Sequence, residues 1–167
     1  MATRCIVYIA TSTDGYIADE DGGVDWLPHP EDPDDSLGYQ ALMQSIDSII
    51  MGRKSYEQIC TFGEWAWPEK QSIVCTQKKL PSMHPSIVFR GDSPTDILSC
   101  LEGTVWLLGG AELIHSFAKL QLIDQYIVTV VPNTYLKKGI PLFLPNVAPS
   151  STHDCVGGLS QYQYSMR

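Results

Sequence analysis

Residues 106–114, WLLGGAELI, decide the architecture, and 49–57, IIMGRKSYE, repeat the same plan. Each is a short apolar run that ends in glycine and passes directly into a helical pattern. Such a run reads as a buried strand. Strand, glycine and helix in that order form one half of a parallel α/β unit. In an open α/β sheet, ligands bind at the carboxyl ends of the strands. A glycine there lets a phosphate approach the backbone, and the next helix offers unpaired N–H groups and the positive end of its dipole. Arg53 and Lys54 fall in the first turn after Gly52, so this junction should attract anions. The next apolar strand, SIVCT (72–76), runs into Gln77, Lys78 and Lys79, which should lie at the same rim. Two such helix ends beside a cationic turn suit a dinucleotide carrying an extra phosphate. No GxGxxG occurs, so a Rossmann site is not supported.

Outward from these junctions, strands and helices alternate. CIVYIAT (5–11), SIIMG (48–52), SIVF (86–89), TVWLLGG (104–110) and DQYIVTVVP (124–132) read as strands. Residues 36–46, 93–101 and 111–120 read as helices, the second with Ser93 as N-cap and Pro94 in its first turn. The end of the chain, from Thr152, reads as two strands joined at Gly157-Gly158. The expected fold is α/β, a mostly parallel sheet with helices on both faces and a C-terminal antiparallel hairpin.

The chain has 167 residues and 18.5 kDa, which predicts one domain over 1–167. Eleven basic and 19 acidic residues give a net charge of −8. That sign disfavours nucleic acid and anionic membranes as partners. No apolar run approaches the length of about 18 residues needed for a membrane span. The five cysteines are odd in number and lie in or beside apolar segments, as expected of free thiols in a reducing cytoplasm. The four histidines are scattered, so no metal site is expected. Residues 14–35 hold nine acids and no Lys or Arg, with Gly22-Gly23 and three prolines. This reads as a long loop, either a functional lid or a solvated acidic segment. Trp106, in a strand, is expected in the core. Trp65 and Trp67 either line a pocket mouth or anchor their loop.

Taken in order, CIVYIATSTDGYIA (5–18), VDWL (24–27), MGRKSYE (51–57), IVCTQ (73–77), LLGGAELI (107–114) and DQYIVTVVPNTYLKKGIPLF (124–143) resemble the dihydrofolate-reductase-like fold. Within it they resemble the reductase domain of the bifunctional riboflavin-biosynthesis deaminase-reductase and its stand-alone bacterial relatives. The resemblance spans roughly residues 4–167 and implies a three-layer sandwich. It implies NADPH-dependent hydride transfer to a small heterocyclic or imine substrate, as in 5-amino-6-(5-phosphoribosylamino)uracil reductase. A dihydrofolate-reductase-type enzyme and a non-catalytic NADPH-binding protein are the alternatives. The resemblance places Ala10 and Ile17 at the nicotinamide, and Gly52, Arg53, Lys54 and Ser55 at the phosphates. It puts Thr76, Gln77 and Lys78 at the adenosine 2′-phosphate, and Gly109, Gly110, Ala111 and Glu112 at the pyrophosphate. Trp26, Ile59 and Trp65 are assigned to the substrate. Asp35 and Asp32 lead the candidates for the catalytic acid, with Thr129 the family's usual partner for that carboxylate. A homodimer in the cytoplasm fits the same family.

Overall fold

The computed structural model describes residues 2–166. The architecture is mixed α/β, with a mostly parallel central sheet and a C-terminal antiparallel hairpin. The chain forms two compact units. One holds the residues up to Ile6 and Ser45–Ile123; the other holds Val7–Gln44 and the residues from Asp124 onward. Strand β1 (Arg4–Thr11) contributes its first residues to one unit and its remainder to the other.

In the first unit, β3 (Ser48–Gly52), β4 (Gln71–Cys75), β5 (Ile87–Arg90) and β6 (Thr104–Gly109) run parallel in the order β5-β4-β3-β6. Helices α2 (Arg53–Cys60), α3 (Pro94–Ser99) and α4 (Ala111–Lys119) follow β3, β5 and β6. β3 is buried at four successive positions, so both its faces are covered, which is why its sequence is continuously apolar. α4 buries Ile114 and Phe117, three residues apart and on one stripe. Tyr56 on α2 starts a line of rings. Its centroid lies 5.8 Å from Trp65, Trp65 lies 5.4 Å from Trp67, and Trp67 lies 5.5 Å from Trp106. The contacts are tilted or edge-to-face, the favourable aromatic geometries.

The second unit holds β2 (Tyr16–Ala18), α1 (Tyr39–Ser45), β7 (Gln125–Val130), β8 (Ile140–Pro141), β9 (Ser151–Asp154) and β10 (Ser160–Ser165). β10 lies antiparallel between β7 and β9. The hairpin turns at Gly157 and Gly158, whose φ angles of 69° and 75° explain the paired glycines. β2 and β8 form a separate two-stranded pair. There a Cβ on Gly139 would run into the carbonyl of Ala18, so the close approach of the two strands requires glycine.

Helix α1 is shorter than the expected 36–46. Asp35 and Gly38 both have positive φ, 52° and 74°, which fixes a turn where the pattern suggested helix. The Asp35 carboxylate then accepts the N–H groups of Gln40 (2.9 Å) and Ala41 (3.0 Å) and caps α1.

Candidate functional site

Two polar assemblies stand out, one in each unit. In the first unit, parallel strands bring their carboxyl ends to one edge. Gly52 opens α2 and Gly110 opens α4, and neither supplies a side-chain cap. By contrast, the Ser93 hydroxyl caps α3 by accepting the Asp96 N–H. The first N–H groups of α2 and α4 therefore face outward with no side chain of their own to meet them. The two junctions are neighbours. A Cβ on Gly52 would stand 3.7 Å from the Gly109 carbonyl, and one on Gly110 would stand 3.6 Å from Ser55 Oγ. The Gly109–Gly110 peptide is cis, and Gly109 has a φ of 136°.

The predicted cationic residues lie along this edge. Arg53 is half-exposed and pairs with Glu57 one turn on, at 3.2 Å. Lys54 is exposed, and Glu112 lies in the first turn of α4 beside Ala111. Gly52 pairs in register with Cys75, so the turn after β4 begins beside it. In that turn, Thr76 Oγ1 accepts the Lys78 N–H at 3.0 Å, and Gln77 donates to the Gly91 carbonyl at 2.7 Å. The structure thus gathers Gly52, Arg53, Lys54, Ser55, Thr76, Gln77, Lys78, Gly109, Gly110, Ala111 and Glu112 into one unit and toward one sheet edge. It adds a residue that sequence reasoning passed over. Arg90, the last residue of β5, pairs in register with Cys75, and Asp92 holds its guanidinium at 2.6 Å. Its signal was a basic residue closing a strand before Gly91.

In the second unit lies a cleft of ≈ 530 Å³. Its lining includes Tyr8 and Ala10 of β1, Leu27 to Pro30, Asp32, Asp35, Tyr39 and Thr129. Asp32 Oδ1 accepts both the N–H (2.8 Å) and the hydroxyl (2.7 Å) of Ser36, and Oδ2 accepts the Leu37 N–H (2.8 Å). These bonds, that of the Leu37 N–H foremost, hold the Asp32 carboxyl below the usual carboxylate range. Burial, reinforced by Asp35, pushes the Tyr8 phenol well above its ordinary value, so it stays protonated. Its hydroxyl donates to the Leu37 carbonyl at 2.8 Å. Gln161, buried on β10, donates from Nε2 to the same carbonyl (2.9 Å) and to Thr129 Oγ1 (3.1 Å).

Of the residues assigned to acid catalysis, Asp32, Asp35 and Thr129 all border this cleft. Thr129 takes its bond from the neutral Gln161 rather than from either carboxylate. Ala10 lines the cleft, and Ile17 is half-buried in the middle of β2. The three residues assigned to the substrate are not brought together. Trp26 is half-buried, with its indole N–H on the Gly23 carbonyl at 3.3 Å, and it is Leu27 beside it that reaches the cleft. Ile59 lies on α2, and Trp65 is 7% exposed inside the ring stack of the first unit. Tyr8, Leu37 and Gln161 were missed because none belongs to a motif. The one signal was a glutamine at an inward position of the last strand.

Acid should loosen this unit first. Asp32 is depressed, and so is Asp14, whose carboxyl accepts the Ser12 hydroxyl and the N–H groups of Lys137 and Leu136. Each folded value lies below the unfolded aspartate value of about 3.9. Their contribution is therefore complete above about pH 4 and is lost as pH falls through the folded values. Thermal unfolding between neutral pH and pH ~2.5 should show a drop confined to the acid limb, smaller in Asp32→Asn. A flat profile would contradict it.

The family model of the RibD C-terminal domain matches residues 4–135. The Bacillus subtilis strain 168 protein YwjB, itself uncharacterised, is 34% identical over 148 residues, covering 86% of this chain and 84% of YwjB. A candidate riboflavin biosynthesis protein from Shewanella sp. PV-4 superposes with a TM-score of 0.80 at 29% identity, over 100% of this chain and 99% of that one. A diaminohydroxyphosphoribosylaminopyrimidine deaminase/5-amino-6-(5-phosphoribosylamino)uracil reductase from Thermotoga maritima gives 0.74 at 13% identity, over 99% and 57%. Dihydrofolate reductase from Enterococcus faecalis, complexed with NADP(H), gives 0.67 at 17%, over 97% and 95%. The last two establish the dihydrofolate-reductase-like fold. No helix among the described residues is long and apolar enough to cross a membrane.

Proposed function

The chain belongs to the RibD C-terminal domain family, and from that premise we propose that it is an NADPH-dependent reductase acting on a small C=N-containing or heterocyclic substrate. The observation that carries this reading is the pair of adjacent, uncapped, glycine-initiated helix ends at the carboxyl edge of a parallel sheet. Outward N–H groups with no Cβ in front of them fit a pyrophosphate. The two Gly-initiated ends, Gly52 to Ser55 and Gly109 to Glu112, would hold it. Arg53, Thr76, Gln77 and Lys78 would meet the 2′-phosphate, and Ala10 and Ile17 the nicotinamide.

Bound there, NADPH supplies a hydride. The chain's own residues do the rest. The helix ends fix the phosphates, and the cleft holds the acceptor. Asp32 and Asp35 set its electrostatics, and the Thr129 hydroxyl orients a polar atom of the acceptor. A cytoplasmic location and a homodimer belong to the same proposal.

Titration with NADPH and NADH, followed by energy transfer from tryptophan to nicotinamide, tests it. NADPH should bind at least tenfold tighter than NADH; binding of neither would overturn the reading. Arg53→Ala should weaken NADPH by about 10- to 150-fold, the cost of one charge-assisted hydrogen bond, and leave NADH nearly unchanged. Equal losses for both would remove Arg53 from the 2′-phosphate.

A further inference from the structure

We propose that the cleft of the second unit selects a phosphate-free cation and that its reducible substrate is an iminium ion. This rests on the reductase reading above and names the substrate class for it. The cleft is lined by two carboxylates, Asp32 and Asp35, and by no lysine or arginine. The segment leading into it, 14–35, adds seven further acids and no basic residue except His29, which also lines the cleft. A phosphorylated substrate would enter this field with nothing of opposite sign to receive it.

Two further observations point to a cation. Tyr8 and Tyr39 both line the cleft, with ring centroids 6.4 Å apart and planes tilted by 49°. Paired aromatic rings beside carboxylates recognise organic cations through the ring faces. The carboxylates also keep capacity for a ligand. Each carboxylate oxygen can accept about two bonds. Asp35 Oδ1, Asp35 Oδ2 and Asp32 Oδ2 each accept one within the chain.

An iminium ion also matches the proton economy of the cleft. Asp32 is ionised and Tyr8 has committed its proton to the Leu37 carbonyl, so neither is poised as an acid. With an iminium no acid is needed. Its carbon takes the hydride of NADPH and forms the new C–H bond. The C=N π pair moves onto nitrogen, which becomes a neutral amine, and NADPH leaves as NADP⁺. No proton crosses in the step.

The test uses the full chain and two readouts. Calorimetry without cofactor compares benzyltrimethylammonium, its neutral carbon isostere neopentylbenzene, and phenyl phosphate. The cation should bind about tenfold or more tighter than the isostere, with phenyl phosphate weakest. The preference should shrink in Asp35→Asn and, in the unaltered protein, at about 1 M salt. Turnover then compares NADPH oxidation by an N-methyl-dihydroisoquinolinium salt with that by the phosphoribosylamino pyrimidine. Faster use of the iminium supports the proposal. Equal or better binding of neopentylbenzene or phenyl phosphate overturns it, as does preferential reduction of the phosphorylated compound. If NADPH fails to bind while the cation preference holds, the reductase reading falls and the cation site stands. If NADPH binds but the cation is not preferred, the reverse is true.

Discussion

Gly52→Asp should leave the protein as stable as the parent, or slightly more so, while weakening NADPH by over 100-fold. The two effects have opposite signs because they act on the same N–H groups. Gly52 sits at φ −81° and ψ 167°, a conformation open to aspartate, and its Cβ would meet the Gly109 carbonyl only at ordinary contact distance. An aspartate there caps α2, which gains a few tenths of a kcal/mol over glycine. The same carboxylate occupies the anion position. A charge about 4 Å from a phosphate, at an effective dielectric near 20, costs roughly 4 kcal/mol, which exceeds the 2.7 kcal/mol that corresponds to 100-fold. NADH should lose affinity in parallel, since both cofactors carry the pyrophosphate. That parallel loss separates this position from Arg53. Unchanged NADPH affinity in a folded Gly52→Asp protein would remove the helix end from the cofactor site.

The second large effect concerns Trp65, which the resemblance assigned to the substrate. Trp65→Ala should cost about 3–5 kcal/mol of stability, the usual result of emptying a buried large aromatic position. At about 2–4 °C per kcal/mol for a chain of this size, the midpoint should fall by roughly 10 °C. The indole is 7% exposed and touches the rings of Tyr56 and Trp67. Its N–H is buried with no hydrogen-bond partner, so Trp65→Phe removes an orphaned donor and should recover much of the loss. Differential scanning calorimetry with steady-state kinetics would decide. A raised KM at unchanged midpoint would return Trp65 to a pocket.

The strand-glycine-helix junctions were legible because they are local. Apolar strand, glycine and amphipathic turn follow each other within about nine residues, and each is enforced by its neighbours. The Ser93 cap and the Gly157-Gly158 hairpin were legible for the same reason. The β2–β8 pair was not. Tyr16 meets Pro141 across more than a hundred residues, and strands of three and two residues carry no periodicity. The acidic stretch shows the limit at the site. Composition counts its carboxylates but does not reveal which of them receive backbone N–H groups. Asp14, Asp19, Asp32 and Asp35 do, so part of what reads as a solvated charge run is the wiring that shapes the loop.

The Leu37 carbonyl has a consequence for time rather than shape. It receives Tyr8 from β1 and Gln161 from β10, so the segment between Asp32 and α1 is latched twice at one atom. At a net ~1 kcal/mol for each bond, releasing both costs about 2 kcal/mol, and the rim stands open only a few per cent of the time. A ligand that must enter past Leu37 waits for that fraction, and its apparent association rate is slowed in proportion. One released product leaves on the same clock, so the residence time of whatever the cleft holds is set by two hydrogen bonds that never touch it.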